Sequence, residues 1–344
     1  NTARLWDMIT TNPSANSIVL TGHTDDVSSV AFSPDGRWLA TVWPDDSLRL
    51  WPLPGSGDRQ VKRLPLPADR NWRGLVFDPK GRFVILVPYW DSDSVWAYVV
   101  PVDGSPPKGL EGPSQGTMLS GAAVSPSGRQ VAMAYRVAST DTGKKTLRVW
   151  DLETSEARVF DLPESVAPEE GWESGVYDLA FADDSTLYTS GDGGLRRWNL
   201  ESGAHDLVLS TRPGSNYMSA AFGPSAQIAF VTEPMPGDEF LGAARVLDFG
   251  TGEMRSVSAF AESALRSPDL WPRDAFDSTG TIAATGDSEG IVRVARLSGG
   301  EPHLLLGHEG TVTDLAISPD GRWVASAGED DTLRLWPMPD LDKP

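Results

Sequence analysis

The chain has 344 residues, 40% hydrophobic and 22% charged, with a formal net charge of −19. That is enough apolar chain to bury a large core, while the charge disfavours nucleic acid and anionic membranes as partners and no apolar run is long enough for a spanning helix. Cysteine is absent, so disulfides, thiolate metal sites and cysteine nucleophiles are excluded, and the expected address is cytoplasmic.

In chain order, the first predicted element is a short strand at Ala3–Asp7. It lies in residues 1–15, which read as the leftover end of a preceding repeat or a linker, so earlier domains of a longer chain are expected before it. One unit then recurs over residues 16–340. Its clearest copies are LTGHTDDVSSVAFSPDGRWLATVWPDDSLRLW at Leu20–Trp51 and LLLGHEGTVTDLAISPDGRWVASAGEDDTLRLW at Leu304–Trp336. Each holds three alternating apolar and polar runs, the pattern of half-buried strands, separated by turn residues. In the Ser-Pro-Asp-Gly turns the proline presets φ and the glycine takes the left-handed position.

An apolar residue late in the first strand of each unit marks the repeat: Phe32, Phe77, Val124, Phe181, Phe222, Phe276 and Ile317, about 41 to 57 residues apart. Six of these are followed by a turn carrying Pro or Gly. The seventh, Ala182–Ser185, has neither. Third strands end at or near Trp51, Tyr98, Trp150, Trp198, Leu247, Ala295 and Trp336, and weaker outer strands follow them. Where Leu247 and Ala295 replace the aromatic residue, less regular units are expected.

A Gly-His before the first strand, a Pro-Gly hairpin, an acidic turn and a strand ending in Leu-Trp resemble the WD-repeat β-propeller family. The resemblance implies an all-β, seven-bladed propeller of four-stranded antiparallel blades. Counting strands by type leaves an unpaired outer strand at Ser17–Gly22 and a last blade one strand short. That N-terminal strand is therefore expected to join the C-terminal blade and close the ring, which removes two open edges. The style of SPDGRWLA and LRLW is similar to bacterial WD-repeat arrays lying C-terminal to effector domains.

Some residue sets look chemical. His23, Thr41, Asp45 and Trp51, and again His308, Ser326, Asp330 and Trp336, combine a hydroxyl, an imidazole and a carboxylate as hydrolytic triads do. The resemblance implies a structural hydrogen-bond network instead, because buried polar groups need such partners. Gly112–Gly116 fits G-x-S-x-G but lies among prolines and glycines before a strand, not on a strand-to-helix turn. Asp91 and Asp93 lack the glycine and terminal glutamate of a calcium loop. No cofactor, metal or small-molecule substrate is predicted, and no enzymatic activity.

The resemblance places the turns between second and third strands, with the loops entering each blade, on one face, called the top. The longest connections fall there. Candidate partner-binding residues on this face are Trp43, Asp46, Trp72, Tyr89, Trp90, Asp91, Asp93, Trp172, Tyr217 and Trp271. Aromatic anchors with surrounding acids, and arginines such as Arg49, Arg148, Arg196, Arg293 and Arg334 expected away from this face, suit a basic peptide or protein. The expected function is a non-enzymatic interaction scaffold that works through the top loops and channel mouth. The alternatives are a sensing or autoinhibitory segment of a larger protein and a propeller hydrolase.

Overall fold

The computed structural model describes residues 18–20, 29–43, 47–57, 60–67, 72–88, 95–112, 117–137, 145–162, 176–191, 194–210, 219–223, 226–235, 238–257 and 273–342. They form seven four-stranded antiparallel sheets, the blades of a propeller. The first strand in the chain, β1 (Ile18–Leu20), belongs to the last blade. Blade 1 is β2 (Ser29–Phe32), β3 (Trp38–Trp43), β4 (Ser47–Pro52) and β5 (Lys62–Pro65). Blade 2 is β6 (Trp72–Phe77), β7 (Phe83–Pro88), β8 (Val95–Pro101) and β9 (Lys108–Glu111). Blade 3 is β10 (Thr117–Val124), β11 (Gln130–Val137), β12 (Lys145–Asp151) and β13 (Ala157–Asp161). Blade 4 is β14 (Val176–Phe181), β15 (Thr186–Gly191), β16 (Gly194–Asn199) and β17 (His205–Leu209). Blade 5 is β18 (Ser219–Phe222), β19 (Ile228–Met235), β20 (Asp238–Asp248) and β21 (Met254–Ser256). Blade 6 is β22 (Arg273–Phe276), β23 (Ile282–Gly286), β24 (Ile291–Arg296) and β25 (His303–Leu306). Blade 7 is β26 (Val312–Ile317), β27 (Trp323–Gly328) and β28 (Leu333–Pro337), completed by β1.

The ring closes as the strand count requires. β1 pairs antiparallel with β28, Ile18 opposite Leu335 and Leu20 opposite Leu333. The innermost strands touch in succession around the centre, β2 to β6, β10, β14, β18, β22, β26 and back to β2. Apolar clusters fill the gaps between neighbouring blades. The closing gap holds Val30, Phe32, Leu39 and Trp51 of blade 1 against Ile18, Ala325, Leu333 and Leu335 of blade 7. Each large side chain buried this way contributes roughly 1.5–3 kcal/mol.

The hairpin turns explain why the strands reverse where they do. Gly36, Gly81, Gly128, Gly280 and Gly321 all have φ between 66° and 70°. Each donates its N–H to the carbonyl three residues back, as Gly321 does to Ser318 at 2.8 Å. In blade 5 the residue in that place is Ala226, which adopts φ 45° with a Cβ that makes the conformation less favourable. Ala182–Ser185, without Pro or Gly, closes through the Ala182 N–H on the Thr186 carbonyl at 3.0 Å.

Two expectations about the strands are corrected by register. Blade 6, despite Ala295, pairs without a register shift across all three ladders. Regularity is set by backbone pairing, which the missing ring does not disturb. In blade 2 the third strand is longer than its aromatic suggests: Val100 stands opposite Val84 as Trp336 stands opposite Val324, and Tyr98 falls at the place of Arg334. Blades 2, 3, 4 and 7 carry a bulge near the start of the innermost strand, between Trp72 and Gly74, Leu119 and Gly121, Val176 and Asp178, and Val312 and Asp314. A bulge re-aims the side chains beside it.

Candidate functional site

Blade 7 contains a continuous polar chain. The Trp336 indole N–H donates to Ser326 Oγ at 2.8 Å, Ser326 Oγ meets His308 Nε2 at 2.7 Å, and His308 Nδ1 meets Asp330 Oδ1 at 2.9 Å. Asp330 also accepts from the Thr332 hydroxyl at 2.7 Å and from the Glu309 N–H at 3.0 Å. The elements impose this. Ser326 and Trp336 lie on paired strands, His308 precedes β26, and Asp330 sits in the turn from β27 to β28. Desolvation by burial holds His308 below its ordinary pKa, against the opposing pull of Asp330. A neutral ring with Nδ1–H on the carboxylate leaves Nε2 to accept from the serine, so every polar atom of the chain is satisfied. A Cβ on Gly328 would sit 2.5 Å from His308 Nδ1, so only glycine fits there.

The set has the members of a hydrolytic triad and lacks the access. Ser326 is 0% exposed, and its hydroxyl is engaged by both the indole and the imidazole. A nucleophile must reach a substrate carbonyl, and this oxygen is sealed between strands. Its role is to tie the loop before β26 to the second and third strands.

Other blades vary the theme. In blade 1, Trp51 donates to Thr41 at 2.8 Å, while His23 and Asp45 lie outside the described residues. In blade 4, Trp198 donates to Thr189 at 3.0 Å, a pair the sequence reading missed. A hydroxyl nine residues before the tryptophan, one fewer than the ten of blades 1 and 7, is the signal that could have found it. In blade 3, Met133 holds the hydroxyl position, and Trp150 donates instead to the Glu111 carbonyl at 3.0 Å, with Arg148 over both the Trp96 and Trp150 rings. In blade 6, Ala295 replaces the indole, and the buried Thr285 Oγ1 has no hydrogen-bond partner. There the tie is made by Asp287, which accepts from the N–H groups of Glu289 and Ile291, both at 2.9 Å, and pairs with Arg293.

Of the predicted partner-binding residues, Trp72 is fully buried, edge-on to Tyr98 at 5.7 Å, and belongs to the core between blades 1 and 2. Its place on the innermost strand faces a neighbouring blade, so it offers no surface to a partner. Trp43 ends β3 at the top turn, opposite Ser47. Asp46, Tyr89, Trp90, Asp91, Asp93, Trp172, Tyr217 and Trp271 lie outside the described residues. The arginines correct a second expectation. Arg293 and Arg334 do not point away from the top but reach its turns, Arg293 to Asp287 and Arg334 within 3.9 Å of Asp330. Third strands start at the top, so a long side chain near that start reaches the turn acids.

The inner wall carries three acids. Asp314 accepts from the Ser29 hydroxyl at 2.6 Å and the Val30 N–H at 2.8 Å, bonding blade 7 to blade 1, and the Leu75 N–H donates onward to Ser29 Oγ. Asp178, the matching residue of blade 4, accepts the Leu179 N–H at 2.8 Å. Burial pushes Asp178 up to about 7, and burial with the charge of Asp178 pushes Asp274 up to about 7. Among the described residues no group of three His, Asp or Glu side chains could hold a metal ion.

The sequence family described as WD domain, G-beta repeat, matches residues 15–62, 164–199 and 300–337, about a third of the chain. These segments hold the three indole–hydroxyl pairs, those of blades 1, 4 and 7. Human Coronin-7 is 37% identical over 93 residues, covering 27% of this chain and 10% of that protein. Pre-mRNA-processing factor 19 homolog 2 of Arabidopsis thaliana is 23% identical over 182 residues, 53% of this chain and 31% of its own length. The Serine-threonine kinase receptor-associated protein of Gallus gallus is 26% identical over 195 residues, 56% of this chain and 49% of its own. The chain thus spans at most about half the length of these relatives. All three are eukaryotic, where the repeat style had suggested bacterial arrays.

Proposed function

We propose that this protein, a seven-bladed propeller carrying WD repeats, is a non-enzymatic scaffold that binds a protein partner through its top loops and channel mouth. The observation that carries the reading is the fate of the triad-like residues: in blade 7 they are consumed in a buried tie that holds a top loop to the rigid blade. A scaffold that fixes its loops in advance loses less entropy on binding. A relative whose printed name is receptor-associated protein favours a protein partner.

The partner surface is basic. The chain carries a net charge of −19, and the sequence places Asp25, Asp26, Asp91 and Asp93 in top-face connections. The test is binding to arrays of basic and neutral peptides at low and at physiological salt. Reversal to lysine at Asp25 and Asp26, or at Asp91 and Asp93, is expected to weaken binding of basic peptides by about tenfold at low salt. Unchanged binding overturns the reading.

A further inference from the structure

Third strands of several blades carry an arginine at one register, two residues before the indole position and directly opposite the hydroxyl position. These are Arg49, Arg148, Arg196, Arg293 and Arg334. We propose that Arg196, with the exposed side chain of Leu207 beside it, is a docking site for a partner segment that presents a carboxylate next to an apolar residue. This goes beyond the reading of the top face, which accounts for a basic partner surface. The group recognised here is an acid.

Comparison around the ring carries the inference. Arg49 Nε donates to Ser47 Oγ at 3.2 Å. Arg148 donates to the Glu111 carbonyl at 3.1 Å and lies over the Trp96 and Trp150 rings. Arg293 pairs with Asp287, and Arg334 lies within 3.9 Å of Asp330 and donates to Thr332 Oγ1 at 3.3 Å. Arg196 has no hydrogen bond or ion pair among the described residues. Burial holds its guanidinium below the ordinary pKa and no acid opposes the shift, whereas at Arg334 the same effect of burial is countered by Asp330. The chain has 48 acidic residues against 29 basic ones, so a half-buried cation without an acid is an exception that calls for a ligand.

The surroundings set what that ligand carries. Arg196 and Trp198 are two residues apart on β16 and share a face. Trp198 packs into the core between blades 3 and 4, with the ring of Phe160 from blade 3 at 6.4 Å, so Arg196 looks into the gap between these blades. Across the ladder His205 stands opposite Trp198 and Leu207 opposite Arg196, and directly opposed residues project from the same face. β17 is the outermost strand of its blade, where Leu207 is 49% exposed and Val208 39%. In blade 7 the residue opposite Arg334 is Val19, which is half-buried.

An exposed leucine beside an unsatisfied guanidinium offers one extended segment both an apolar contact and a planar fork of donors. A carboxylate fits that fork with two parallel hydrogen bonds. Phosphate oxygens fit the same fork, but a dianion meets more repulsion from a chain of net charge −19 than a monoanion does. The ligand is therefore a carboxylate.

The test uses the amidated hexapeptide Ser-Val-Glu-Leu-Val-Ser carrying an uncharged dye at its N-terminus, with Gln or phosphoserine replacing Glu, titrated against the full chain by fluorescence anisotropy at low salt. The wild type is expected to bind the Glu peptide about fivefold more tightly than the Gln peptide, and the phosphoserine peptide no more tightly than the Glu peptide. Arg196→Gln should abolish the preference for Glu, and Arg196→Lys, which keeps the charge without the fork, should retain about twofold. Leu207→Asn should weaken the Glu and Gln peptides alike, by about threefold. The melting temperature of Arg196→Gln should equal or exceed that of the wild type, because the cation removed has no partner. A wild type without preference overturns the proposal, as does a preference that survives in Arg196→Gln. A phosphoserine peptide that binds more tightly than the Glu peptide overturns the assignment of the ligand as a carboxylate. A lower melting temperature for Arg196→Gln would show that the guanidinium is held within the fold, and the inference would fall.

Discussion

Blades 6 and 7 are neighbours built on one pattern, and they hold their top turns by different chemistry. Register aligns Thr285 with Ser326, Ala295 with Trp336 and Asp274 with Leu315. In blade 7 an indole, a hydroxyl, an imidazole and a carboxylate form one satisfied chain between strands and loop. In blade 6 the indole is gone, the hydroxyl is orphaned and an acid stands at an apolar position. The turn is held instead by Asp287, whose carboxylate caps two N–H groups and pairs with Arg293. Blade 6 pairs without a register shift although its indole is gone, while blade 7, with the full tie, carries a bulge between Val312 and Asp314, so backbone ladders make the blade, and the side-chain tie decides how the loop above it is held.

The largest effect that would sharpen this contrast is Trp336→Ala. Trp336 is fully enclosed between blades 6 and 7, and its loss is expected to cost about 3–5 kcal/mol, read as a fall in the denaturant midpoint. In blade 6 the same position already holds alanine, so Ala295→Gly should cost far less. Next is the pH dependence of Asp274. Its folded pKa of about 7 lies above the unfolded value, so the native state binds the extra proton. Stability from this group is present at and below about pH 4 and is lost as pH rises through 7. Asp274→Asn should therefore flatten the decline in melting temperature between pH 5 and pH 8. A decline of the same size in wild type and variant would count against it.

Smaller effects separate satisfied from orphaned hydroxyls. Ser326→Ala strands the indole N–H and the imidazole, at an expected cost of about 1–3 kcal/mol in chemical denaturation. Thr285→Val removes an oxygen that bonds to nothing, so stability should stay unchanged or rise by about 1 kcal/mol. If the two changes cost the same, the claimed difference between the blades is broken.

Much of the scaffold was legible because its signals are local. The Pro-Gly turns, the alternating strands and the leftover N-terminal strand each follow from a few neighbouring residues. The polar ties were legible where hydroxyl, indole and acid kept the pattern, as in Ser326, Asp330 and Trp336. They were missed where the pattern changed: Asp287 makes the tie of blade 6 through backbone N–H groups and Arg293, and in blade 4 Thr189 pairs with Trp198 at a different spacing. Trp72 was read as a candidate anchor because aromatic residues suit both interfaces and cores, and sequence alone does not separate the two.

The amino-acid sequence by itself determined seven blades, their turns and the strand that closes the ring, because periodicity and turn chemistry act over short distances. Only the tertiary structure decided which polar groups are satisfied. Partners for Asp314 come from Ser29 at the far end of the chain, and the buried hydroxyl of Thr285 is left without one where Ala295 stands in place of an indole. Hydrogen bonding and desolvation depend on neighbours in space, and in a closed ring those neighbours come from distant repeats.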